Sequence, residues 1–173
     1  TTGLHTQSAF SRRLNEEIAR AERYAQPFAF AVADIDRLTD FNRLYGLSAG
    51  DEAIAQVAAI IRNNLRKVDL AAKFEGGRYG LLLPHTASSA LPVLQRICRA
   101  VAQSEFESDR AKPLPAGALT VSIGLVLRTP DSERDPHALY REAERALAQA
   151  KSQGGNAVVC LGPPVPKTTR APS

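Results

Sequence analysis

Leu70-Ala71-Ala72-Lys73-Phe74-Glu75-Gly76-Gly77-Arg78-Tyr79-Gly80-Leu81-Leu82-Leu83-Pro84 is the stretch on which the reading of this chain turns. Its two apolar runs, 70–74 and 80–84, read as strands, and Glu75-Gly76-Gly77-Arg78 between them reads as a tight hairpin turn. Upstream, Gly50-Asp51 precedes a helical pattern of Ile54, Val57, Ala58, Ile61 and Leu65. Earlier still, Phe10, Leu14, Ile18 and Ala21 recur at helical spacing over 9–24, an apolar run at 28–33 reads as a buried strand ending at Asp34, and 38–44 as a short helix. Downstream the pattern predicts a helix over 88–104, a β-rich run at 119–125, a helix over 136–152 stopped by Gly154-Gly155, and an edge strand at 156–160. Helices alternating with strands around one hairpin predict an α/β sandwich with a central mixed sheet flanked by helices.

A chain of 173 residues, 44% of them hydrophobic, is long enough for one well-cored domain, expected over 1–161. The Pro-rich end, 162–173, has the composition of a disordered tail. The net charge of +4 comes from arginines spread along the chain rather than from a block, which does not indicate nucleic acid and suits a small anionic ligand. Cys98 and Cys160, two unclustered cysteines, give neither a disulfide framework nor a zinc motif, so a reducing cytoplasm is expected. No run approaches the roughly 18 apolar residues of a membrane span. The abrupt opening at Thr1-Thr2-Gly3-Leu4 reads as a cut from a larger protein.

Asp34-Ile35-Asp36 closes the buried strand at 28–33, so its carboxylates emerge at a strand end, where they can hold magnesium against a triphosphate. The plain alternative is that acids follow apolar strands in many turns. His5, His85 and His137 are too scattered for a metal triad or a catalytic dyad.

The order Asp34-Ile-Asp36-Arg-Leu-Thr-Asp-Phe-Asn42-Arg-Leu-Tyr45-Gly46-Leu-Ser-Ala-Gly50-Asp51 resembles the DxDxFKxxNDxxGHxxGD pattern of the GGDEF diguanylate cyclase family. Leu119 to Gly124 is similar to that family's VTVSIG strand, and 143–156 to its ADxALYxAKxxGRN helix end. The resemblance implies that Asn42 and Asp51 read guanine, that Lys151 grips phosphate, and that Asp34 and the Ile35 carbonyl are magnesium ligands. It also exposes departures. In the Gly-Gly-Asp/Glu-Glu-Phe turn, Gly77 replaces the metal-binding acid, Arg78 replaces the Glu and Tyr79 stands for Phe, and Gly155 replaces a phosphate-binding Arg. Clustered carboxylates must hold divalent ions during phosphoryl transfer, and an Arg cannot deprotonate to join them. The expectation is an inactive cyclase with vestigial GTP and metal positions, needing no cofactor and taking magnesium only with GTP.

Arg66-Lys67-Val68-Asp69 lies where the family carries RxxD, the inhibitory site for cyclic di-GMP. Arg suits that ligand because its planar fork bonds phosphate and guanine acceptors, and Asp accepts from guanine donors. The plain alternative is an Arg favoured by a helix C-terminus and a turn Asp. A further Arg completes such sites in the family, and Arg96 and Arg99 are both candidates. The resemblance thus implies a cyclic di-GMP receptor module, within a larger signalling protein and with a homodimer among its assemblies. The competing readings are a GTP-binding allosteric module without turnover and a structural module that dimerises or holds a phosphodiesterase domain or kinase.

Overall fold

The structure is a computed structural model that describes residues 4–86, 88–108, 111–114, 117–129 and 135–161. The expected tail at 162–173 lies outside the described residues.

Helix α1 (Gln7–Tyr24) begins where the Thr6 hydroxyl accepts from the Ala9 N–H at 3.2 Å, and ends at Ala25, in the left-handed region at φ 53° and two residues before Pro27. Strand β1 (Phe28–Ile35) follows, then α2 (Leu38–Tyr45) and α3 (Leu47–Asn63). The hairpin is β2 (Leu70–Lys73) and β3 (Arg78–Pro84), followed by α4 (Ala90–Gln103). A small pair, β4 (Phe106–Ser108) and β5 (Ala111–Leu114), precedes β6 (Val121–Arg128), α5 (Pro136–Ser152) and β7 (Val158–Cys160).

The main sheet runs β2-β3-β1-β6-β7, antiparallel except for the parallel β6–β7 pair, so it is mixed as its sequence predicts. Strand β1 is central because both its faces are apolar. Phe28, Phe30 and Val32 point to α1 and α5, where they meet Phe10, Leu14 and Leu147. Ala29, Ala31 and Ala33 point the other way, to Val57 and Ile61 of α3 and Leu94 and Ile97 of α4. Small residues on that face leave room for the large apolar side chains of α3 and α4.

The sequence reading of the hairpin needs adjustment at one end. Arg78 and Tyr79 belong to β3, because the sheet register pairs them with Asp34 and Ala33 of β1. Tyr79 is fully buried, and its hydroxyl donates to the Ile54 carbonyl at 2.6 Å, tying the hairpin to α3. Gly50 and Asp51 likewise lie inside α3 rather than before it. The β4–β5 pair escaped the sequence reading because its strands are three and four residues long and one carries Pro113, which leaves no alternating run to detect.

Strand β6 meets α5 at Gly124, where a Cβ would overlap the Ala143 carbonyl oxygen and the Leu147 nitrogen. Backbone cannot step aside as a side chain can. Gly124→Ala is therefore expected to cost about 3 kcal/mol of stability, read as a lower urea midpoint. A shift under a third of that would show that α5 does not seat on this strand.

Candidate functional site

Antiparallel register brings the acidic strand end and the hairpin together. Asp34 of β1 lies directly opposite Arg78 of β3, and cross-strand partners share a face. Arg78 Nε stands 4.0 Å from Asp34 Oδ2, while its Nη2 reaches Glu144 of α5 at 2.6 Å. Glu144 and Lys151 are two helical turns apart on one side of α5. Lys151 Nζ lies 3.2 Å from Asp34 and 3.1 Å from Asp36. Two cations are thus shared among three carboxylates at the strand end.

Asp36 is the anchor of this cluster. Its carboxylate accepts from the Thr120 and Ser122 hydroxyls, each at 2.7 Å, from the Asn156 N–H at 2.9 Å and from Lys151. Burial alone pushes its pKa up, but the Ser122, Asn156, Thr120 and Lys151 donors outweigh burial and hold it below the ordinary value. Gly155 packs so close that a Cβ there would sit 2.8 Å from Asp36 Oδ2, on a backbone with φ +79°. Asp36→Ala would leave the fully buried Ser122 hydroxyl without its acceptor and take one of its two carboxylates from Lys151. The expected loss is about 3 kcal/mol by urea unfolding, and a loss below about 1 kcal/mol would refute this structural role.

The turn itself is closed. The Phe74 N–H donates to the Arg78 carbonyl, and the Ile35 N–H to the Gly77 carbonyl, both at 2.9 Å. Lys73 Nζ bonds the Phe74 and Gly76 carbonyls at 3.1 and 3.3 Å. Gly77 is buried, and a Cβ on it would stand 2.8 Å from Leu38 Cδ2 and 3.1 Å from Ile35 Cβ. Among the described residues no group of three His, Cys, Asp or Glu is arranged to hold a metal ion. A guanidinium and an ammonium already lie against Asp34, and that donor set does not fit a divalent cation beside them.

Asn42 of α2 meets Gly50 of α3, the residue before Asp51, across the α2–α3 corner. The Asn42 amide packs on Gly50 so tightly that a Cβ there would overlap Asn42 Oδ1. That oxygen is buried and accepts no hydrogen bond from the described residues, while Asp51 is exposed.

Arg66 and Asp69 sit at the opposite end of the hairpin, in a turn after α3 rather than on the helix itself. The Asp69 side chain is only 1% exposed. One oxygen accepts from the Arg66 N–H at 2.8 Å and Nε at 3.2 Å, and the other from Nη2 at 2.9 Å. Arg66 Nη2 also donates to the Pro84 carbonyl at 3.1 Å. In this geometry Arg66 engages both carboxylate oxygens. What Asp69 does here is hold the Arg66 fork, 53% exposed, in one orientation. Arg78 and Pro84 are the two ends of β3, so the Arg66 fork and the acidic cluster lie roughly 20 Å apart.

The two candidate arginines of α4 separate in space. Arg96 donates to Asn64 Oδ1 at 3.0 Å and to the Asn64 carbonyl at 2.8 Å, beside the Arg66 turn. Arg99 instead lines a different cavity, with Cys98, Asn156 and Val158. Sequence reasoning singled out Asp36 with Asp34 but missed Glu144 as a partner of the cluster. The repeat of Glu144 and Lys151 seven residues apart was a usable signal, since it places both on one helix face.

The family described as Diguanylate cyclase, GGDEF domain, matches residues 1–157. The chain is 31% identical over 159 residues to the response regulator PleD of Caulobacter vibrioides, covering 91% of this chain and 34% of that protein. It is 33% identical over 154 residues to the diguanylate cyclase DgcP of Pseudomonas aeruginosa, covering 88% of this chain and 22% of that protein. The chain therefore spans about a third or less of these relatives. Among solved structures it resembles the GGDEF domain of DgcB from Caulobacter crescentus in complex with c-di-GMP, with a TM-score of 0.83 at 29% identity, over 91% of either chain.

Proposed function

This chain belongs to the GGDEF diguanylate cyclase domain family, and we propose that it is a member without cyclase activity that serves as a cyclic di-GMP receptor in a larger signalling protein. The observation that carries this reading is the occupation of the acidic strand end by the protein's own cations. Arg78 and Lys151 pair with Asp34, Asp36 and Glu144 and offset two of their three charges, which weakens the cluster's pull on divalent ions and engages Lys151 away from a phosphate. No cofactor is required in this account. The Arg66 fork, about 20 Å away, does not depend on that cluster. It is held by Asp69 and the Pro84 carbonyl, with the guanidinium half open to solvent, the geometry that phosphate and guanine acceptors need. Arg96 is the nearer of the two α4 arginines to this turn. One domain over 1–161, with a place in the cytoplasm and ligand-bridged homodimers, completes the proposal. No described helix is long and apolar enough to cross a membrane.

A second reading has one observation in its favour. Asn42 Oδ1 is a buried acceptor with no described partner, packed on Gly50, whose chain neighbour Asp51 is exposed, and a guanine edge supplies the donor it lacks. GTP then binds as an allosteric ligand without turnover.

Calorimetry with cyclic di-GMP and with GTP, each with and without magnesium, separates the readings. Cyclic di-GMP is expected to bind equally well in both conditions. GTP is expected to bind about a hundredfold or more weaker than a site with intact phosphate contacts allows, since two charge-assisted contacts are missing. A tight magnesium-dependent GTP complex lost in Asp51→Ala would favour the second reading.

A further inference from the structure

Leu44, Tyr45 and Leu47 project from the corner where α2 meets α3. Leu44 and Leu47 are each 73% exposed, more than any other large apolar residue described. Gly46, at φ 91°, ends α2 and opens α3 between them, so neither helix buries them. A single exposed leucine is ordinary, but three large apolar side chains within four residues form a patch. Beside the patch lies a cavity of about 500 Å³ with Phe41, Tyr45 and Ala118 in its walls. Phe41 is buried and its ring stands 4.9 Å from that of Tyr45, so the recess is backed by the core. Its rim carries Arg37, Asp40 and Arg43, and Asp51 of α3 is exposed one helical turn after Leu47. Arg43 pairs with Asp40 at 3.1 Å, and both side chains stay exposed enough to take further partners.

We propose that this corner is a contact between two copies of the chain, related by a twofold axis and formed without ligand. A twofold contact brings one patch against itself, so the patch must carry both halves of every interaction. This one does. The Leu44 and Leu47 projection of one copy enters the recess of the other, and the reverse contact is identical. Arg37 and Arg43 against Asp40 and Asp51 leave the rim with no net charge, so Asp40 of each copy can face Arg43 of the other. A nucleic acid or an anionic membrane calls for surplus positive charge, which the corner lacks. Apolar anchors inside a polar rim are the anatomy of a protein interface, and a corner of this size makes a weak contact rather than an obligate one. The 17 residues of α3 separate it from the Arg66 turn by roughly 25 Å. It is therefore distinct from a ligand-bridged dimer, and on the receptor reading cyclic di-GMP would join these dimers into larger assemblies.

Sedimentation equilibrium without ligand, over about 10 to 500 µM protein, reads the association. Wild type and Arg66→Ala should both pass from monomer toward dimer, and the double variant Leu44→Gln/Leu47→Gln should dimerise about tenfold or more weakly. A charge swap tests the pairing. Asp40→Arg leaves only positive charge at positions 40 and 43, and Arg43→Asp only negative. Each variant alone should dimerise at least about threefold more weakly than the wild type, and an equimolar mixture should recover the association as a heterodimer. All four side chains are exposed, and a cooperative urea transition checks that each variant folds. A wild type that stays monomeric throughout, a dimer that survives the double leucine variant, or a mixture no stronger than its components would overturn the proposal. Monomeric wild type that binds vesicles containing anionic lipid, with binding lost in the leucine variant, would assign the corner to a membrane instead. A dimer that appears only with cyclic di-GMP overturns this contact while the receptor reading stands.

Discussion

Incubated with GTP and either Mg²⁺ or Mn²⁺, the domain is expected to release no cyclic di-GMP, at least about a thousandfold below an enzyme turning over near 1 s⁻¹. Phosphoryl transfer needs carboxylates free to hold metal against the charge that builds on the attacking and leaving oxygens. Here Asp34 faces Lys151 at 3.2 Å and Arg78 at 4.0 Å, and Gly77 offers no side chain at all. Back-substitution with Gly77→Asp and Arg78→Glu is expected to fall short of rescue. A Cβ at Gly77 must displace Leu38, and Gly155 leaves the second phosphate contact missing, on a left-handed backbone pressed against Asp36. Arg78→Glu alone does have a visible consequence, because it adds an acid beside Asp34 and Glu144 and removes their shared cation. Magnesium at about ten times its dissociation constant should raise the melting temperature of that variant by about 4 °C and leave the wild type unmoved. Product formation by the wild type near 1 s⁻¹, detected by chromatography, would end the proposal of an inactive domain.

Arg66→Ala is expected to weaken cyclic di-GMP binding by about 2 kcal/mol, roughly thirtyfold. The side chain carries the charge-assisted contacts, and nothing else in the turn offers a planar fork. Asp69→Asn acts through Arg66, since it removes the charge that fixes Nε and Nη2, so its effect on affinity should be smaller and should come with a loss of stability. Asp34→Ala, at the far end of β3, should leave the affinity unchanged. If ligand bridges two domains, light scattering should report a mass increase that Arg66→Ala prevents. Equal affinity of Arg66→Ala and wild type would remove Arg66 from the site.

The α/β architecture was legible because its signals are local. The run from Phe28 to Ala33 is apolar at every position, which fits a strand covered on both faces, and the Gly-Gly turn announces the hairpin. The boundaries were less legible. Arg78 and Tyr79 look like turn residues in sequence, yet β1 recruits them into β3 because pairing continues as far as Asp34. The β4–β5 pair carries no periodic run and was invisible.

The sequence by itself determined which side chains this domain has for its chemistry: Gly77 and Arg78 where the family's turn carries acids, Asn42 with Asp51, and Arg66 with Asp69 three residues on. Only the tertiary structure decided what those side chains touch. Lys151 lies more than a hundred residues after Asp34 and reaches it, and Glu144 reaches Arg78, because α5 packs on β6 and β1. Asp69 turns inward to hold Arg66, and His5 joins the pocket beside that turn through a bridge to β2. The division follows from range: propensity and periodicity act over a few residues, whereas charge pairing depends on distances that only the packed sheet and helices set.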